Sequence, residues 1–332
     1  MNPDILAKMD AFALERLADF VPDKVFDSHV HLYDEHFTTY YAKNKTADAL
    51  ECFDWERYQK DMQSILPGRT IHANIISYPD KHMASDVAKR NAGDAFTIAQ
   101  LEKDSLSVGE IMVLPTDTVE ELEKRLTHPR IKGFKCYHLL AKQDGPTFQC
   151  QTDEFLPESA WEVANARGMV ITLHMVRDAA LSDPDNLNYI TTMAKRYPNA
   201  TLILAHAARS FASWTGFEAV EQIAHLDNVW YDFSAVCESP AMFQILRKAG
   251  HSRCMWGTDY PISQWRGKCL SLGSGFQWLY EKELEAIKAP GAWHIATETL
   301  MALRQAADMA NLTPAQVEDV FYNNATRLFH GK

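Results

Sequence analysis

Lys24-Val25-Phe26-Asp27-Ser28 reads as a first β-strand, and His29-Val30-His31 stands at its end. Side chains alternate faces along a strand, so histidines two apart point the same way. Two imidazoles converging from one strand end make half of a metal site. The chain has 13 histidines, so the pair is weak evidence alone and the remaining segments must decide its meaning.

Beyond this stretch, strand-like and helix-like segments alternate. Strands are expected over 25–28, 70–77, 109–114, 131–137, 169–173, 201–205, 229–233 and 253–257. Most are short apolar runs rather than strict alternations, as expected of strands covered on both faces. Helices are expected over 120–126, 157–167, 185–196, 217–225 and 240–248, with an amphipathic N-terminal helix over 5–20. Eight strands each followed by helical material predict an α/β fold, a (β/α)8 TIM barrel. The reading is of one domain, 1–332, with residues 1–23 as an N-terminal helical extension. A doubly wound open sheet would favour a glycine-rich turn after its first strand, where this chain has histidines.

Two connections exceed ordinary loop lengths. Residues from about 33 to 65, after strand 1, carry the aromatic cluster Tyr33, Phe37, Tyr40 and Tyr41, and a helix is expected from about Phe53. Residues from 260 to about 293, after strand 8, carry Trp265, Trp278 and Gly273-Ser274-Gly275. Long loops after strands 1 and 8 would overhang a barrel mouth and shape a pocket, or serve as surface elaboration. The first of them also offers a contact for a homodimer.

Composition bounds the function. Hydrophobic residues make up 46% of the chain, enough for a large core. The net charge of −11 argues against nucleic acid and anionic membranes as partners and leaves a small-molecule substrate. The first 20 residues lack the apolar run of a secretory signal, and no run of about 18 apolar residues suits a membrane span. Six scattered cysteines without a Cys-x-x-Cys fit reduced thiols in a cytoplasmic protein. No glycine-rich nucleotide fingerprint, serine-centred elbow or Walker motif is present.

Strand ends carry the chemistry. Strand 1 gives His29 and His31, strand 4 offers Lys135, strand 5 ends at His174, strand 6 at His206, and strand 8 delivers Asp259. Singly, each has a dull explanation: a core histidine, a turn-forming aspartate, a structural lysine. In a barrel all of them meet at one mouth. Neutral imidazoles and one carboxylate suit Zn²⁺ best, with Mn²⁺, Fe²⁺ or Co²⁺ as alternatives.

At this point the sequence resembles the amidohydrolase superfamily, in particular its "amidohydrolase 2" branch of metal-dependent TIM-barrel hydrolases and decarboxylases. The matching pieces are Phe26-Asp27-Ser28-His29-Val30-His31, Gly133-Phe134-Lys135, the strand-end His174 and His206, and Trp256-Gly257-Thr258-Asp259-Tyr260-Pro261. Phe321-Tyr322-Asn323-Asn324-Ala325-Thr326-Arg327-Leu328-Phe329 is similar to that branch's closing helix. The resemblance implies that His29, His31, His174 and Asp259 bind one divalent ion. It implies that His206 polarises the substrate or the bound water as an imidazolium or N–H donor. Asp259 would relay the proton of a water whose pKa such an ion lowers to roughly 7. In two-metal relatives a carbamylated lysine at the position of Lys135 bridges the ions; here one metal is favoured, with Lys135 serving substrate or barrel.

Arg177 and Arg209 lie three residues past His174 and His206, so both are candidates for binding a substrate carboxylate, against the plainer reading of surface ion pairs. The expected activity is hydrolysis of a C–O or C–N bond, lactone, ester or amide, in a small carboxylate-bearing metabolite. Metal-dependent non-oxidative decarboxylation of an aromatic or unsaturated acid is the alternative, and a non-catalytic binding barrel the second one.

Overall fold

Eight parallel strands lie side by side in the order of the chain: β1 (Lys24–Leu32), β2 (Thr70–Ser77), β3 (Val108–Met112), β4 (Ile131–Cys136), β5 (Val170–Leu173), β6 (Thr201–Leu204), β7 (Val229–Asp232) and β8 (Cys254–Met255). Past Met255 the chain runs alongside β1 and closes the ring. Ser28 N–H donates to Trp256 O at 3.0 Å, Asp259 N–H to His29 O at 2.8 Å and His31 N–H to Tyr260 O at 2.9 Å. The result is a (β/α)8 barrel, with residues 1–34, 52–142 and 146–331 described by the computed structural model. Phe37, Tyr40 and Tyr41 of the insertion after β1 lie outside the described residues.

The strands are buried almost throughout, which is why their sequences are apolar runs without polar alternation. Charged residues inside them are therefore informative, because each must find partners in the barrel. At the amino-terminal half, Phe26, Val108, Val170, Ile203, Trp230 and Met255 pack with Ala325 and Phe329 of the helix Asn324–His330. Phe329 stacks on Phe26 at 5.6 Å, so the last helix stoppers one end of the barrel. That leaves the carboxyl ends of the strands as the open mouth.

Crossover helices begin where sequence supplies caps. Asp54 accepts from Arg57 N–H at the start of Trp55–Met62, and Asp183 accepts from Asp185 and Asn186 N–H at the start of Pro184–Arg196. The N-terminal helix Pro3–Leu17 packs beside the segment after β8, where Trp293 Nε1 donates to Met9 O at 2.8 Å. Among the described residues no helix is long and apolar enough to cross a membrane.

Three local expectations are revised. β1 continues to Leu32, so both histidines lie within the strand, with a register shift against β2 between Asp27 and Val30. The expected helix over 217–225 is two short helices, Trp214–Phe217 and Ala219–Ile223. The stretch after β8 is not an irregular loop but an antiparallel hairpin, β9 (Gly267–Leu272) and β10 (Gly275–Tyr280). Its two-residue turn, Gly273-Ser274, starts at φ +59°, a conformation glycine adopts without strain. Phe276, Trp278 and Tyr280 alternate along β10, the period-2 signal that marks a strand.

One buried carboxylate ties the closing seam together. Asp27 on β1 accepts from Thr258 N–H at 2.8 Å, Thr258 Oγ1 at 2.6 Å, Tyr58 OH at 2.9 Å and, at 3.2 Å, the N–H of His29. Burial pushes its carboxyl up to about 7, and these four donors oppose that rise. Gly257 lets the seam close, since a Cβ there would stand 2.8 Å from Ser28 Oγ. Asp27→Asn replaces an acceptor oxygen by an NH₂ facing donors. The expected loss is roughly 2–4 kcal/mol of unfolding free energy by chemical denaturation; an unchanged denaturation midpoint would refute this bracing role.

Candidate metal centre

His29 and His31 leave β1 on the same side, and their Nε2 atoms come within 3.2 Å of each other. The third corner is Asp259, carried by the turn after β8 with φ +60° and held by its own N–H on His29 O. Its Oδ1 lies 3.6 Å from His29 Nε2 and 3.5 Å from His31 Nε2. Donors bound tetrahedrally at about 2.1 Å stand about 3.4 Å apart, so this triangle has the dimensions of one face of a zinc-like site.

The tautomers fit as well. His29 Nδ1 faces Asp232 Oδ2 at 2.9 Å, and a carboxylate can only accept, so Nδ1 carries the proton and the Nε2 lone pair faces the triangle. This is the carboxylate–histidine arrangement that orients a metal ligand. Asp232, at the end of β7, also takes the N–H of His206 at 3.1 Å and that of Ser234 at 3.0 Å on Oδ1. Ser234 Oγ makes a further, short bond to the same oxygen.

His206 joins the donors in a less expected way. Its ring stacks on His29 with centroids 4.9 Å apart, and His29, His206 and Asp259 each offer a ligand atom within 4.8 Å of the others. Nδ1 of His206 lies 3.0 Å from Ser234 O, an acceptor, so its proton is there and Nε2 is bare. Burial drives the ring's pKa down to about 3. The expected role as an imidazolium or N–H donor therefore does not match its surroundings: Nε2 is placed to ligate or to accept.

Lys135 points inward from β4. It is fully buried, and its Nζ lies 3.1 Å from His29 Nε2. Burial lowers its pKa, while Asp232, Glu110 and Asp259 oppose the shift. Burial likewise holds His29 and His31 well below the usual imidazole range and pushes Asp259 well above the usual carboxylate range. Neutral imidazoles beside a carboxyl group that lacks sufficient positive charge are what a divalent cation requires and would relieve.

His174 stands beside His206. Its ring meets His206 edge-on at 5.1 Å and Tyr137 at 4.5 Å. β5 stops at Leu173, so His174 begins a loop and packs sideways on its aromatic neighbours. Arg177 is placed otherwise than its spacing suggests. Its Nη1 pairs with Asp183 at 2.9 Å and Asp185 at 2.7 Å, and Nε reaches Cys150 O, so its fork braces the start of Pro184–Arg196. Arg209 does lie at the mouth, beside His138 and His174, whose pKa values burial lowers and the Arg209 charge lowers further.

Two residues of this centre escaped the sequence reading. Asp232 closes the run Val229-Trp230-Tyr231-Asp232, so asking of strand 7 the question asked of the other strand ends would have found it. Glu110 interrupts the apolar run of β3. It takes bonds from Asn74 Nδ2 at 2.6 Å and Thr172 Oγ1 at 2.8 Å, and burial pushes it up to about 7. A cavity of about 490 Å³ between Phe20 and Glu318 lies away from these residues, and its Arg304 is paired with Asp19.

The comparisons bear on the family and the fold. A sequence family described as amidohydrolase, of the amidohydrolase 2 type, matches residues 90–331. The chain belongs to that family. The match begins after β2, so His29 and His31 fall outside it, whereas structural similarity spans nearly the whole chain. A zinc-bound amidohydrolase from Burkholderia multivorans aligns with TM-score 0.60 and 12% identity over 92% of this chain and 99% of its own. 5-Carboxyvanillate decarboxylase from Sphingomonas paucimobilis aligns with TM-score 0.56 and 13% identity over 93% and 99%. A putative 2-pyrone-4,6-dicarboxylic acid hydrolase from Pseudomonas putida aligns with TM-score 0.55 and 14% identity over 93% and 98%. At such identities these likenesses establish the fold. No curated protein matches the chain.

Replacing both His29 and His31 with alanine should reduce bound metal from about one equivalent per chain to a trace while the circular dichroism spectrum persists; full metal retention would refute the assignment. Asp232→Asn should weaken metal affinity by roughly 10–100-fold, measured by chelator competition, because it removes the anchor of the His29 tautomer.

Proposed function

We propose that the chain is a metal-dependent hydrolase that cleaves a C–O or C–N bond, lactone, ester or amide, of a small carboxylate-bearing metabolite. The observation that carries this reading is the triangle of His29 Nε2, His31 Nε2 and Asp259 Oδ1, with the His29 tautomer locked by Asp232. One divalent ion, zinc by the preference of the donors, would be held there, His206 adding a further nitrogen; bound, it would supply Lewis acidity and a water activated near neutral pH.

The remaining work falls to side chains. Asp259 combines exposure to the mouth with a carboxyl that burial makes basic, so it can take a proton from the attacking water and hand it to the leaving group. Lys135 takes the place first given to His206. Its Nζ borders the triangle and, when protonated, can stabilise negative charge developing on a substrate oxygen, a role that bare His206 Nε2 cannot fill.

Non-oxidative decarboxylation is the second reading, supported by structural likeness to 5-carboxyvanillate decarboxylase and by 2,6-dihydroxybenzoate decarboxylase, which aligns with TM-score 0.58. Lys135 would then be the proton source for carbon. A silent binding barrel is disfavoured by the complete donor triangle.

Turnover of a panel of aromatic and unsaturated acids bearing ester, lactone or amide groups, run in ¹⁸O-labelled water, separates the readings. Hydrolysis should place solvent oxygen in one newly formed carboxyl group of the product, with no gas released. Evolution of CO₂ with no label in the organic product would replace hydrolysis by decarboxylation.

A further inference from the structure

His29 Nε2 has one lone pair and two claimants. The ring proton is on Nδ1, held by Asp232 Oδ2, so Nε2 can accept a single bond. Lys135 Nζ stands 3.1 Å away, within donating distance. The same Nε2 is a corner of the donor triangle, 3.2 Å from His31 Nε2 and 3.6 Å from Asp259 Oδ1. A metal ion and an N–H cannot share one lone pair, so a bound ion obliges Nζ to find another acceptor. Lys135 is fully buried, and a buried donor stripped of its acceptor bears its whole desolvation cost.

The acids around Nζ reduce to one. Both oxygens of Asp232 are taken, Oδ2 by His29 Nδ1 and Oδ1 by the N–H groups of His206 and Ser234 and by Ser234 Oγ. Asp259 is itself a corner of the triangle. Glu110 differs from both. Its Oε1 accepts from Asn74 Nδ2 and Thr172 Oγ1, whereas Oε2, also buried, has no hydrogen-bond partner among the described residues. A bare carboxylate oxygen inside a barrel is costly unless a donor there completes it. Lys135 has donors to spare, since Nζ carries two or three hydrogens and uses one.

Strand register puts the two side chains within reach. Lys135 on β4 lies opposite Met112 of β3 and Thr172 of β5, and Glu110 lies opposite Gly133. Gly133 and Lys135, two apart, share the interior face, and Gly133 has no side chain to fill its part of it. Glu110 can therefore cross in front of β4 to meet Thr172 on β5. Its carboxyl comes to lie beneath Lys135, on the side away from the mouth. Burial raises the Glu110 carboxyl and lowers Lys135, and the charge of each opposes the shift in the other. A four-carbon stem lets Nζ swing between the two acceptors.

We propose that Lys135 Nζ and a divalent cation compete for His29 Nε2, and that Glu110 Oε2 is the acceptor that receives Nζ when the cation takes that lone pair. Glu110 is thus a positioning residue that acts through Lys135. The exchange rests on the metal-dependent reading above and deepens it. Metal affinity becomes a balance between two acceptors for one amine. Turned off the histidine, Nζ keeps hydrogens to offer a substrate oxygen.

Zinc affinity, measured by competition with a chromophoric chelator, tests the exchange without any substrate. Lys135→Met removes the competitor and should tighten zinc binding by about tenfold. Glu110→Gln turns an NH₂ toward Nζ and should weaken zinc binding by about tenfold, but by less than about threefold in the Lys135→Met background. Unchanged or weaker binding by Lys135→Met overturns the competition. Equal losses from Glu110→Gln in both backgrounds overturn the part given to Glu110. If either variant does not fold, a crystal structure of the zinc-loaded wild type decides. Nζ within about 3.2 Å of Glu110 Oε2 supports the exchange; Nζ anywhere else, still against His29 or carrying a carbamate that bridges two ions, overturns it. Zinc bound by neither wild type nor Lys135→Met sinks the metal reading together with the exchange. A zinc-loaded wild type whose affinity falls in Lys135→Met sinks the exchange alone.

Discussion

The buried carboxylate of Asp232 is the interaction on which the mouth of this barrel depends. One oxygen fixes the tautomer of His29 on β1; the other receives the backbone of His206 on β6 and the Ser234 group beyond β7. Removing such a group from water is expensive, and only a full set of donors offsets the cost. Those donors are drawn from three separated segments, so the same bonds that satisfy Asp232 bring the imidazoles together. Asp27 plays the matching part across the seam between β1 and the chain after β8, fixing Thr258 and hence the turn that presents Asp259.

Charge inside the barrel gives the arrangement its direction. Glu110, Asp232 and Asp259 crowd around one lysine, Lys135, in a space lined otherwise by neutral imidazoles. Burial answers by lifting Asp27 and Glu110 to about 7. Asp259 stays nearest to water and, with His29 and His31, forms a corner where a cation could reach three donors at once. An excess of acid over base in a closed space favours binding of positive charge, and the triangle says where.

The fold was legible because barrel strands covered on both faces leave eight apolar runs, and every one of them exists within a few residues of its expected place. The donors were legible because strand ends meet at one mouth: His29, His31, His206, Asp259 and Lys135 all converge there. What sequence could not supply was orientation. Whether Lys135 faced the interior depended on the pleat of β4, and the state of His206 depended on a carbonyl, Ser234 O, from the segment after β7. Spacing put Arg177 and Arg209 on equal footing, three residues past a histidine. Partners separated them, since Asp183 and Asp185 occupy one and two phenyl rings flank the other.

The division between chemistry and recognition follows from the same scaffold. β1, β7 and the turn after β8 build a polar, hydrogen-bonded floor where any shift of a side chain would strand a buried charge. Above it, the hairpin β9–β10 and the segment around Phe148 contribute rings, whose contacts are forgiving of position. The left-handed turn 206–209 joins the two layers, and its strained backbone is tolerable because Asp232 holds one end firmly. Loosening that turn would leave the floor able to bind metal but would free Arg209 from its place between the rings. The strain is thus confined to the short turn that sets Arg209 above the floor.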